Sequence, residues 1–123
     1  LQANMKYNPK REELLAEVEK YYDSGLYRKA RNVLKELYLM FPTDMKVLLY
    51  FAKVYEAEKR YKNALEYYKT ILSKDALNED SLMGVARIYA ATKKYKQALS
   101  VIKQIKENGS TTKKLEAMEK DIK

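Results

Sequence analysis

The sequence predicts an all-α fold, a solenoid of antiparallel helix pairs, on three observations. The 123-residue chain matches itself when shifted by 34 positions. Within each 34-residue unit the apolar residues recur at helical spacing. Gly (3) and Pro (2) are so scarce that few built-in breaks interrupt long helices.

The repeat rests on five columns. Leu14, Leu48 and Leu82 form one; Tyr21, Tyr55 and Tyr89 another; Tyr27, Tyr61 and Tyr95 a third; Ala30, Ala64 and Ala98 a fourth. The fifth is Asp44, Asn78 and Thr112, all residue types that cap helix N-termini. Periodicity of 20–50 residues is the signature of stacked repeats.

Each unit reads as two helices. Leu14, Val18 and Tyr21 recur at i, i+4, i+7, the stripe of an amphipathic helix, and Leu48, Ala52, Tyr55 and Leu82, Ala86, Tyr89 repeat it. A polar turn follows at Asp23–Gly25, Glu58–Arg60 and Lys93–Lys94, with Gly25 suited to the left-handed conformation of a helix end. The second helices carry Ala30, Leu34, Leu37; Ala64, Tyr68, Ile71; and Ala98, Ile102, Ile105. The small Ala lets paired helices approach at the close end of the usual range of about 8–10 Å.

The ends are expected to behave as solenoid ends. Asn8–Pro9 is a cap followed by a first-turn Pro. Thr112 is expected to cap a last helix whose Leu115, Met118 and Ile122 line one face and cover the third unit. The expected organisation is an N-terminal extension at 1–8, a domain at 9–123 with units at 11–44, 45–78 and 79–112, and a capping helix at 113–123. Leu rather than Met stands first, so the chain is expected either to be a piece of a longer protein or to carry added residues within 1–8.

These residues resemble the tetratricopeptide repeat over positions 11–112. The matching columns are Tyr21/Tyr55/Tyr89, Gly25, Tyr27/Tyr61/Tyr95, Ala30/Ala64/Ala98 and Pro42. Leu14, Leu48 and Leu82 stand where the family often has Trp. Val18, Ala52 and Ala86 replace a small residue that is often Gly, and Ala76 and Ser110 replace a closing Pro. The resemblance implies a right-handed superhelix whose first helices line a concave groove for a partner's peptide or helix. It also implies a scaffold or adaptor role in protein binding, without catalysis.

Chaperone-binding members of that family grip a carboxylate with Lys, Asn and Arg. The positions corresponding to that clamp are Leu15, Glu19, Tyr50, Asp80 and Gly84. None is of the required type and two are acidic, which argues against a chaperone C-terminal tail as ligand.

At about 100° per residue, the groove-facing set lies roughly 80–160° round from the core stripe. It comprises Glu12, Leu15, Glu19 and Tyr22 in unit one, Lys46, Leu49, Tyr50, Lys53 and Glu56 in unit two, and Asp80, Met83, Gly84 and Arg87 in unit three. Surplus apolar and aromatic residues beside cations resemble interface cores. Two readings are open for Leu15, Leu49 and Met83: anchors for a partner, or a broader buried face between pairs. Filling of the groove by a second copy is a further option.

The net charge is +8, and residues 45–78 and 79–112 each contribute +3 while residues 11–44 carry −1. Basic residues gather at the turns within pairs: Arg28, Lys29 and Arg31; Lys59, Arg60 and Lys62; Lys93, Lys94 and Lys96. Stacking would set them on one edge, fit either for docking an acidic protein or membrane surface or simply for solubility. No nucleic-acid recognition motif accompanies them, which argues against DNA or RNA.

Cys and His are both absent, which removes thiol nucleophiles, imidazole bases and most zinc sites. It leaves the compartment open. Glu12–Glu13, Glu17–Glu19 and Glu79–Asp80 read as surface or first-turn carboxylates. No Gly-rich phosphate loop or nucleophile elbow occurs, so neither an enzyme nor a cofactor is expected. No run of about 18 apolar residues is present to span a bilayer.

Overall fold

A computed structural model describes residues 8–109 and 113–122. Among these, seven helices follow one another and no strand occurs: α1 (Pro9–Asp23), α2 (Tyr27–Met40), α3 (Met45–Ala57), α4 (Tyr61–Lys74), α5 (Glu79–Ala91), α6 (Tyr95–Glu107) and α7 (Lys113–Ile122). Helices pair as α1/α2, α3/α4 and α5/α6, and each pair stacks on the next through α2/α3 and α4/α5. The first helices also touch one another, α1 against α3 and α3 against α5. This is the arrangement of a helical solenoid.

The first helices start on side-chain caps. Asn8 Oδ1 accepts from the N–H groups of Lys10 and Arg11, Asp44 Oδ1 from Lys46 and Val47, and Asn78 Oδ1 from Ser81. These bonds satisfy helix N–H groups that have no intrahelical partner. Thr112, expected to cap the last helix, lies outside the described residues. The second helices have no side-chain cap, since their first turn follows directly from the preceding helix end.

That helix end is the same hydrogen-bonded motif three times. Leu26 N–H donates to Tyr21 C=O at 2.8 Å, Arg60 to Tyr55 at 2.8 Å and Lys94 to Tyr89 at 2.7 Å. The preceding residues, Gly25, Lys59 and Lys93, donate to Tyr22, Glu56 and Ala90. All three take the left-handed backbone conformation, with φ of 75°, 61° and 63°. The pattern is a Schellman motif, which returns the chain sharply into the second helix.

The core follows the sequence columns. Ala30, Ala64 and Ala98 are completely enclosed, as are Val18, Leu34 and Ile102. Phe51 of α3 stacks on Tyr67 of α4 with ring centroids 4.9 Å apart. Helix α7 closes the far end: Leu115 is fully buried against Leu82, Met83, Ile102 and Ile105, with Met118 and Ile122 packed beside it.

Ion pairs join successive layers. Arg11 of α1 reaches the capping Asp44 of α3, Nε to Oδ2 at 2.6 Å. Arg31 of α2 holds Glu58 at the end of α3 through two bonds, 2.8 and 3.0 Å. Lys106 of α6 pairs with Glu119 of α7.

Candidate partner-binding groove

A cavity of about 750 Å³ opens on the face built by the first helices. Tyr22 from α1, Leu49, Lys53 and Glu56 from α3, and Asp80, Met83 and Arg87 from α5 line it. Tyr68 contributes from α4, and α7 closes one wall with Lys114, Ala117, Met118 and Asp121. Its size falls within the range of about 300–1,000 Å³ usual for ligand pockets.

At its base lies a polar cluster made by a buried tyrosine, a half-buried glutamate and an exposed arginine. Tyr68 occupies the column of Leu34 and Ile102, and its ring is fully enclosed. Its hydroxyl donates to Glu56 Oε1 at 2.7 Å. Arg87 donates from Nε to Glu56 Oε2 at 2.7 Å and from Nη2 to Oε1 at 3.0 Å. Each carboxylate oxygen is therefore engaged by a charge-assisted bond, two of them from one guanidinium. Burial, reinforced by Glu56, pushes the Tyr68 hydroxyl well above the ordinary phenol range, so it stays a neutral donor. The bonds to Glu56 hold the Arg87 guanidinium still more firmly charged.

A second cluster joins α1 and α3 beside the cavity. Lys53 Nζ sits 5.2 Å from the centroid of the Tyr22 ring and 5.3 Å from that of Tyr50. The two rings meet edge to face at 6.3 Å. Such contacts orient the ammonium and fix the rings together. Burial raises the Tyr22 and Tyr50 hydroxyls above their usual value, more so beside Glu56 and Glu19 respectively.

The anticipated groove residues are placed unequally. Tyr22, Leu49, Lys53, Met83 and Arg87 border the cavity. Tyr50 supports Tyr22 from beside it. Glu19 and Lys46 are exposed away from the cavity lining. Leu15 needs correction as an anchor: it is 4% exposed and belongs to the core of the first two pairs. Because α1 packs against both α2 and α3, its buried arc is wider than a single stripe and takes Leu15 in. Met83, 8% exposed, also serves mainly as packing.

Two features were missed at the sequence level. Tyr68 was read only as core, although a hydroxyl in an otherwise aliphatic column was the available signal. The wall supplied by α7 had no signal, because an apolar stripe tells which face of a terminal helix is buried and not what its flank overlooks.

At the turns, Arg28, Lys29, Lys59, Arg60, Lys62, Lys93, Lys94 and Lys96 are all exposed. Arg31 is half-buried and neutralised by Glu58. Among the described residues, no group of three or more acidic side chains could hold a metal ion, and no helix is long and apolar enough to cross a membrane.

Stacked helix pairs with a concave face made by their first helices define a helical-repeat scaffold. Two family models, both describing the tetratricopeptide repeat, match residues 15–79 and 55–117, each just over half of the chain. The chain belongs to the tetratricopeptide repeat family, whose repeats form a non-catalytic scaffold and generally mediate protein–protein interaction. A comparison with curated proteins finds no match.

Proposed function

We propose that residues 9–123 act as one binding module that holds a short segment of a partner protein, a peptide or a single helix, in the concave cavity. The observation that carries this reading is the cavity's lining. Apolar surface from Leu49, Met83, Ala117 and Met118 lies beside charged groups from three helices. Apolar surface set beside charged and polar groups is the make-up of protein interfaces.

The charges divide into two sorts. Glu56 and Arg87 satisfy each other and shape the base. Lys53, Lys114, Asp80 and Asp121 line the cavity without such a pairing to one another, so a partner segment carrying both signs suits it. Rim charges of this kind set partner choice and encounter rate more than total affinity.

The test is a side-by-side capture from cells that make the protein. The bait is the chain itself or a Lys53→Glu/Lys114→Glu variant, both at accessible positions. Proteins retained by the chain and lost with the variant, at unchanged helical content, support the groove. Identical captured sets would remove it.

A further inference from the structure

We propose that the edge formed by the three turns within the helix pairs docks on an anionic membrane surface, independently of the groove. Three observations meet there. The edge carries eight exposed cations, Arg28, Lys29, Lys59, Arg60, Lys62, Lys93, Lys94 and Lys96. Of the acids at these turns, Glu58 is taken up by Arg31 through two hydrogen bonds, and the exposed Asp23 offsets one of the eight cations. The first helices touch one another in succession, α1 on α3 and α3 on α5, and each is followed by the same turn, which sets the equivalent turns along one side of the solenoid.

The second observation is strain. The first turn uses Gly25 at its left-handed position, whereas the second and third hold Lys59 and Lys93 in the same conformation. A side chain there costs roughly 1–2 kcal/mol relative to Gly. Lysine at two such positions places two cations at the tips of the edge in exchange for stability, and backbone strain of this type concentrates at functional surfaces.

The third observation favours a lipid surface over other polyanions. Leu26 is 44% exposed and Tyr95 is 45% exposed, and both flank the turns. Leu26 stands in the repeat position of Arg60 and Lys94. An aliphatic and an aromatic side chain among cations suit the interfacial layer of a bilayer, where tyrosine rings partition and headgroup charges need no fixed register. Among the described residues, each of these turns joins its two helices directly, with no further element between them to enter a nucleic-acid groove.

Co-sedimentation of the full chain with phosphatidylserine-containing vesicles, against vesicles of phosphatidylcholine alone, tests this directly. Binding is expected to the anionic vesicles only and should weaken more than about tenfold between low and physiological salt. The Lys59→Glu/Arg60→Glu/Lys93→Glu/Lys94→Glu variant should lose it. The Lys59→Gly/Lys93→Gly variant guards against misfolding as the cause, because it should bind roughly tenfold or more weakly while melting at a higher temperature. Lys53→Glu/Lys114→Glu, altered in the groove, should bind vesicles nearly as well as the unaltered chain. Absence of binding to anionic vesicles would overturn the proposal. So would equal binding by the charge-reversed chain, or retention on duplex DNA or polyglutamate but not on vesicles.

Discussion

The ring of Tyr68 occupies the space that a side chain at Gly84 would need: a Cβ there would lie 2.3 Å from the ring's Cζ and 2.4 Å from Cε2. The absence of a side chain on α5 is thus what allows α4 to send a tyrosine under the groove and onto Glu56. Gly in mid-helix costs about 1 kcal/mol relative to Ala, so Gly84→Ala would stabilise an isolated helix. Here it is expected to destabilise the fold by about 1–3 kcal/mol, the range for overpacking a filled core. Urea denaturation of Gly84→Ala measures it. In a Tyr68→Ala background the same substitution should cost markedly less, because the obstructing ring is gone.

The left-handed turn residues yield a prediction of opposite sign at equivalent positions. Lys59→Gly and Lys93→Gly are each expected to raise stability by about 1 kcal/mol, seen as a melting temperature several degrees higher. Gly25→Ala should lower it by a similar amount. A Cβ at Gly25 would have nothing within 4 Å, so the loss there is purely conformational.

Asp44 gives a pH dependence. Burial would raise its carboxyl, but the hydrogen bonds from Arg11 and from the Val47 and Lys46 N–H groups outweigh this and hold it below the ordinary value. Its contribution is therefore fully present above the unfolded carboxyl value, near about pH 4, and is lost as the pH falls through the lower folded value. Asp44→Asn keeps a capping side chain and removes the charge. The variant should be less stable than the unaltered chain at about pH 6, with the gap closing on acidification to about pH 3. Denaturant midpoints across that range measure the difference.

Much of this architecture was legible because repetition averages out local ambiguity. Any one of Tyr21, Tyr55 or Tyr89 is only a tyrosine; three at one spacing mark the place where each first helix ends and its carbonyl receives the turn's N–H. Asp44 and Asn78 were readable as caps for the same reason. The groove was less legible, since Tyr22 and Tyr50 have no like residue at the same position of the other units. Geometry of one helix placed Leu15 on the wall, but the stacking of α1 on both α2 and α3 enclosed it. Helical periodicity describes one rod at a time, whereas a concave surface depends on how adjacent rods overlap.

Calorimetric titration of a partner recovered by capture, first into the unaltered chain and then into Lys53→Glu/Lys114→Glu, measures groove binding most directly. The account expects an affinity lower by about tenfold or more for the variant, because both substitutions reverse charge in the lining of one cavity. An unchanged affinity, with the variant folded, would contradict it.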